Sequence, residues 1–148
     1  MPLAGRRADP LEPAKAAIRI KDYTRAIGVL TDLSGRGHAG GQYLLGTMHL
    51  AGLGTAQDPA QARQLFESAA NAGDARAAYG LAALLATGEK PDRPAARRWL
   101  ARAAELGDPD ARALVRRQAL PLEFRPHDLL TDESSKRSAL WRAAARDD

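Results

Sequence analysis

Three stretches of this chain share one skeleton, and that repetition limits the fold more than any other feature. Residues 22–37, 58–73 and 92–107 each open on aspartate and close on glycine. Superimposed, they align Asp22 with Asp58 and Asp92, Ala26 with Ala62 and Ala96, Val29 with Leu65 and Trp99, and Leu30 with Phe66 and Leu100. The closing glycines Gly37, Gly73 and Gly107 stand 36 and 34 residues apart. A period in the thirties, with one such segment in each, marks a solenoid of stacked units, none able to bury its apolar face alone. A chain of this kind works by offering a surface to a partner.

Within each copy the apolar residues fall at i, i+3, i+4 and i+7. They are Ala26, Val29, Leu30 and Leu33, then Ala62, Leu65, Phe66 and Ala69, then Ala96, Trp99, Leu100 and Ala103. That spacing draws one stripe along a helix. The leading aspartate can cap the free N–H groups and suits the positive end of the helix dipole. The closing glycine supplies the left-handed residue that ends the helix. A second kind of helix lies between the copies, over about residues 38–51 and 74–87. These align as Ala39/Ala75, Tyr43/Tyr79, Leu45/Leu81, Gly46/Ala82 and Met48/Leu84. Apolar and small residues occupy more than one of their faces, as in a helix covered by neighbours on two sides. Gly52 and Gly54, then Gly88, break the chain before the next aspartate, and the second break is two residues shorter.

The two ends depart from the pattern. Residues 1–10 read as a flexible lead-in. Leu11, Ala14 and Ile18 predict a short helix to residue 21, with Pro13 in its first turn. After Gly107 the pattern restarts through Ala111, Ala113 and Val115, and is expected to run to about Leu120. A proline-bounded linker follows, then a helix over residues 131–146. Leu140, Trp141, Ala144 and Ala145 match Trp99, Leu100, Ala103 and Ala104 at a shift of 41, so this tail is expected to cap the stack. The predicted organisation is one domain over 11–148: a half-repeat 11–37, repeats 38–73 and 74–107, and a modified capping repeat 108–148.

Composition agrees. At 148 residues, 45% hydrophobic and 27% charged, the chain is a single globular unit, and only 5% aromatic content favours helices over a sheet core. The net charge of +4 is spread along the chain and offset locally by Asp and Glu, whereas phosphate binding needs Lys and Arg gathered on one face. Nucleic acid is therefore disfavoured, though a nucleic-acid-binding solenoid stays as an alternative.

Chemistry-bearing motifs are sparse. Without cysteine there is no disulfide, thiolate catalysis or Cys-based zinc site. His38, His49 and His127 share no metal-ligand spacing. Residues 35–40 spell G-x-G-x-x-G, but a dinucleotide site needs that motif between strand and helix, and here it follows a helix. Asp22, Asp58 and Asp92 are accounted for as caps. No catalytic residue, cofactor or metal is expected, and the chain is not expected to be an enzyme. Residues 38–57 carry no charge, yet five glycines with Gln42, Thr47 and His49 are too polar and broken for a membrane span. No secretory leader is visible at the start, so a cytoplasmic location is the expectation.

On these residues the chain resembles the Sel-one-like repeat family, relatives of tetratricopeptide repeats. The resemblance runs through Ala39, Gly41, Gln42, Tyr43, Leu45, Gly46, Met48, Gly52, Gly54, Asp58, Ala62, Leu65, Phe66, Ala69, Ala70 and Gly73, then Ala75, Ala77, Tyr79, Leu81, Leu84, Gly88, Asp92, Ala96, Trp99, Ala103, Ala104 and Gly107. His49 and Leu85 stand where the family favours tyrosine, and the second loop glycine is missing near Lys90. The match covers about residues 22–117. It implies an all-α, right-handed α/α superhelical solenoid that binds protein without catalysis, as an adaptor, scaffold or regulator. A related alternative is an immunity-type antagonist that blocks a secreted effector.

The resemblance also implies which stripe lines the concave side. In the uncharged helix it is Gly40, Tyr43, Thr47 and Leu50; in the next unit Arg76, Tyr79, Ala83 and Ala86; in the third Asp110, Ala113 and Arg117. The candidate partner-binding residues are Tyr43, Thr47, Leu50, Arg76, Tyr79, Ala83 and Arg117. The tyrosines suit either partner contact or packing between helices, and Arg76 and Arg117 either grip carboxylates or are ordinary solvated charges. The expected partner is another protein or peptide with an acidic group, met by a monomer or weak homodimer.

Overall fold

The computed structural model describes residues 8–121. Helix α1 spans Glu12–Arg19, α2 Tyr23–Gly35, α3 Ala39–Ala51, α4 Pro59–Asn71, α5 Ala75–Thr87, α6 Arg93–Glu105 and α7 Pro109–Arg116, and among the described residues there is no strand. Six of these helices start in one way. Asp22, Asp58 and Asp92 accept hydrogen bonds from the backbone N–H of Arg25, Gln61 and Ala95, at 3.2, 3.0 and 3.0 Å. A second column does the same for the intervening helices. His38 Nδ1 accepts from Gly41 N–H at 3.0 Å, Asp74 from Ala77 at 3.1 Å and Asp108 from Ala111 at 2.8 Å. At α1 the Asp9 carboxylate accepts from the Leu11 N–H, and that bond, with help from Lys15, holds it below the usual carboxylate range.

Helix ends are as regular as helix starts. Gly37, Gly73 and Gly107 sit at φ of 79°, 99° and 103°, in the left-handed region that side chains resist. The residue after each donates back across the turn, His38 to Leu33 O, Asp74 to Ala69 O and Asp108 to Ala103 O, all at 3.0 Å. This is the Schellman closure, and its last residue is already the cap of the next helix. Termination and initiation thus share three residues, which fixes how α2 meets α3, α4 meets α5 and α6 meets α7. The turn after α1 has the same backbone bonds with Lys21 at φ 62°, and the one after α7 has them with Gln118 at φ 55°.

Each helix packs on its chain neighbours, α1 on α2 through to α6 on α7, so the described chain is an α/α solenoid of stacked helix-turn-helix units. Helices α3 and α5 are each flanked on both sides, and both bury more than one face, with residues 41–48 and 77–84 buried without a break. Helices α2, α4 and α6 bury one stripe, as their periodicity requires: Ala26 and Leu30, then Ala62, Leu65 and Phe66, then Ala96 and Leu100. Trp99 is half-buried against the same core. Close approach between α3 and α4 rests on Gly46. A Cβ placed there would lie 2.8 Å from the Phe66 ring and 3.3 Å from the Ala62 carbonyl. The equivalent positions of the next unit hold Ala82 and Leu100, a larger residue on one helix and a smaller one on the other.

Two expected boundaries are corrected, the first being α1, which stops at Arg19 rather than residue 21, with Lys21 left-handed. Helix α7 stops at Arg116 rather than about Leu120, because Gln118 turns left-handed and Ala119 N–H closes onto Leu114 O at 2.9 Å. Val115, expected within that helix register, is 43% exposed. The tail helix expected over residues 131–146 lies outside the described residues, as does most of the lead-in. Among the described residues no helix is long and apolar enough to cross a membrane.

Two substitutions separate the roles of glycine here. Nothing lies within 4 Å of a Cβ at Gly73, so Gly73→Ala should cost only its left-handed backbone, about 1 kcal/mol in a urea melt. Gly46→Ala should cost about 1–3 kcal/mol by overpacking the Phe66 ring. Adding Phe66→Leu, which copies the next unit, should recover part of that loss, so the double-mutant cycle should show a coupling of at least about 0.5 kcal/mol.

Candidate functional site

The stripe read from the sequence divides in two when placed on the structure. In its first unit it is interior. Tyr43 is buried, with its ring 5.7 Å from that of Phe66, and Thr47 and Leu50 are fully enclosed. The Thr47 hydroxyl donates to the Tyr43 carbonyl at 2.9 Å, which satisfies it inside the helix. Ala83, one unit on, is also fully enclosed. These four residues shape the stack and present little or no side-chain surface.

Arg76 is exposed but engaged. Its guanidinium lies 4.5 Å above the Tyr43 ring, and Nη2 bonds the cap carboxylate of Asp74 at 3.2 Å. Stacking on the ring face and pairing with the cap tie it to its own chain. It closes the outer side of Tyr43 and is not a spare cation.

The stripe opens in its second and third units. A groove of about 690 Å³ runs between α5, α6 and α7, and Tyr79, Ala86 and Arg117 from the predicted stripe all line it. Leu114 and Leu120 add apolar wall, and Arg93 and Arg97 enter from the first turns of α6. Tyr79 is only 8% exposed, so it contributes an edge and not an open face. Of the seven candidates, the structure brings Tyr79 and Arg117 to one accessible place. Arg93 and Arg97 were missed in the sequence reading because charged residues on the outer face of a one-striped helix look like ordinary solvated positions. A trace existed: Arg93 stands where the preceding copy has Pro59, which puts a second arginine one turn ahead of Arg97.

The cap of α6 positions these two arginines. Asp92 holds the Ala95 N–H, and its own N–H bonds the Leu85 carbonyl at 2.9 Å, anchoring the start of α6 to the last turn of α5. Among the described residues no group of three or more His, Asp or Glu side chains gathers in a way that could hold a metal. The G-x-G-x-x-G stretch is the α2–α3 turn, with Gly37 left-handed and His38 capping.

Comparison with known proteins agrees with this architecture. Residues 39–74 and 75–108 each match the Sel1 repeat, covering α3 to the start of α7. These residues therefore carry two Sel1 repeats. Among solved structures, a Sel1 repeat protein from Oxalobacter formigenes superimposes with a TM-score of 0.60 at 24% identity, over 68% of this chain. This chain spans only 45% of that one, and the likeness is one of fold. No curated protein matches the chain. Sel1 repeats are in general non-enzymatic scaffolds for protein interaction.

Removing the α6 cap should be felt at the groove. Asp92→Ala is expected to lower stability by about 1 kcal/mol, measured by urea denaturation, with Asp92→Asn restoring most of it. Hydrogen exchange should localise the loss to the start of α6, which carries Arg93 in its first turn and Arg97 in the next.

Proposed function

We propose that this chain is a non-catalytic protein-binding module that holds a peptide, helix or loop of another protein in the groove between α5, α6 and α7. The observation that carries this reading is that three residues of the predicted stripe meet at a concavity there, while Arg76, the exposed stripe residue at the start of α5, is tied to Asp74 and Tyr43. Tyr79, Ala86 and Arg117 line a concavity, whereas Tyr43, Thr47, Leu50 and Ala83 are enclosed. A concave site with apolar walls and a few polar groups is the usual form of a recognition site. The solenoid supports it by fixing α5 against α6 and α7 through repeated turns, so the groove is formed before anything binds and little ordering cost is left for the binding step.

A photo-crosslinking residue replacing Arg117 tests the reading. In the native cell extract it should yield one or a few discrete, protease-sensitive adducts. The same residue at Arg63, exposed on α4, should not yield them. Nuclease-sensitive adducts, or identical adducts from both positions, would count against the groove as a protein-binding site.

A further inference from the structure

We propose that the groove selects an acidic segment, one in which two or more carboxylates flank an apolar side chain. This rests on the protein-binding reading above and adds the chemistry of what is bound. Arg93 and Arg97 lie one turn apart on α6, a spacing that places both on the same helix face. Both line the groove, and Arg117 reaches it from the end of α7. All three are exposed, and none forms an ion pair or side-chain hydrogen bond with a described residue. Some other arginines are engaged internally, Arg36 with Asp32, Arg76 with Asp74 and Arg102 with Glu105, and what sets Arg93, Arg97 and Arg117 apart is that they line one groove together.

Three uncommitted guanidiniums therefore face one concavity, and among the described residues lining it none is acidic. Apolar walls of low dielectric focus such a field and draw in the opposite charge. Each guanidinium fork can take a carboxylate through two parallel hydrogen bonds. Between the charges, Leu114, Leu120 and the edge of Tyr79 offer apolar surface that a purely ionic ligand would leave wet. The volume of about 690 Å³ suits a few side chains. A nucleic-acid strand fits less well, since it needs open aromatic faces for its bases and Tyr79 is 8% exposed.

Selection of a phage-displayed random peptide library on the full chain tests this directly. Enriched sequences should carry Asp or Glu on both sides of Leu, Ile, Met or Phe. The best of them, synthesised with a fluorescent label, should bind the Arg97→Glu chain at least tenfold more weakly by anisotropy, and the Arg63→Glu chain within twofold of the original. Arg117→Glu repeats the test should Arg97→Glu lose helical content by circular dichroism. Replacing the peptide's acidic residues with lysine should restore binding to the Arg93→Glu/Arg97→Glu chain. Enrichment of neutral or basic sequences, or of none, overturns the proposal. So does an affinity untouched by Arg97→Glu, or displacement of the peptide by an oligothymidine strand. A synthetic peptide of residues 122–148 that outcompetes the selected one also overturns it, in favour of the chain's own segment. Protein adducts from position 117 together with non-acidic selected peptides would leave the binding-module reading intact and remove only this one.

Discussion

The structure depends on α3 and α5 being covered from both sides at once. Each is composed almost wholly of alanine, glycine, leucine and single aromatic or hydroxyl residues, and none of that surface could face water along the whole helix. Coverage on one side comes from the preceding helix, held at a fixed angle by the three-residue turn. Coverage on the other comes from the following helix, brought close by small residues such as Gly46 and Ala82. Apolar burial drives the stacking, and the small residues decide how near the backbones come. Remove either neighbour and the helix between them has no reason to stay folded.

That dependence explains why the architecture was legible in the sequence and the site only partly so. Aspartate caps, closing glycines and a single apolar stripe are local signals, and each recurs three times at matching positions. A local rule repeated in register leaves little room for a different fold. The groove is not local. It arises where α5, α6 and the end of α7 meet, and its arginines sit on a helix face that periodicity assigns to solvent. The predicted stripe runs along α3 and α5 at helical spacing. At Tyr43 it is covered by the Phe66 ring and by Arg76 folding over from the next unit, which no spacing reports. The ends of α1 and α7 were less legible for a plainer reason: Lys21 and Gln118 adopt the left-handed conformation without the glycine that announces it.

The two units are alike in backbone and unlike in filling. Phe66 against Gly46 and Leu100 opposite Ala82 occupy equivalent places with the volume divided differently between partners. Thr47 and Thr87 each return a hydroxyl to the carbonyl four residues back, at 2.9 and 2.6 Å, so that both hydroxyls are satisfied within their own helix. The first unit is closed by an aromatic pair under a guanidinium. The second has Leu100 in place of the Phe66 ring and an α7 that ends early, and among the described residues the groove is the space that remains.

The turns leading into α3, α5 and α7 are three residues each, 36–38, 72–74 and 106–108, with nearly the same dihedral angles throughout. The connections leading into α4 and α6 are 52–58 and 88–92, unequal in length. One edge of the molecule is therefore a hinge line of constant geometry, and all variation in chain length exits along the opposite edge. Length differs on that second edge while the turns on the first stay constant, and within 52–58 the buried Leu53 and the left-handed Gly54, pressed against the Tyr23 carbonyl, tie the longer loop to the stack.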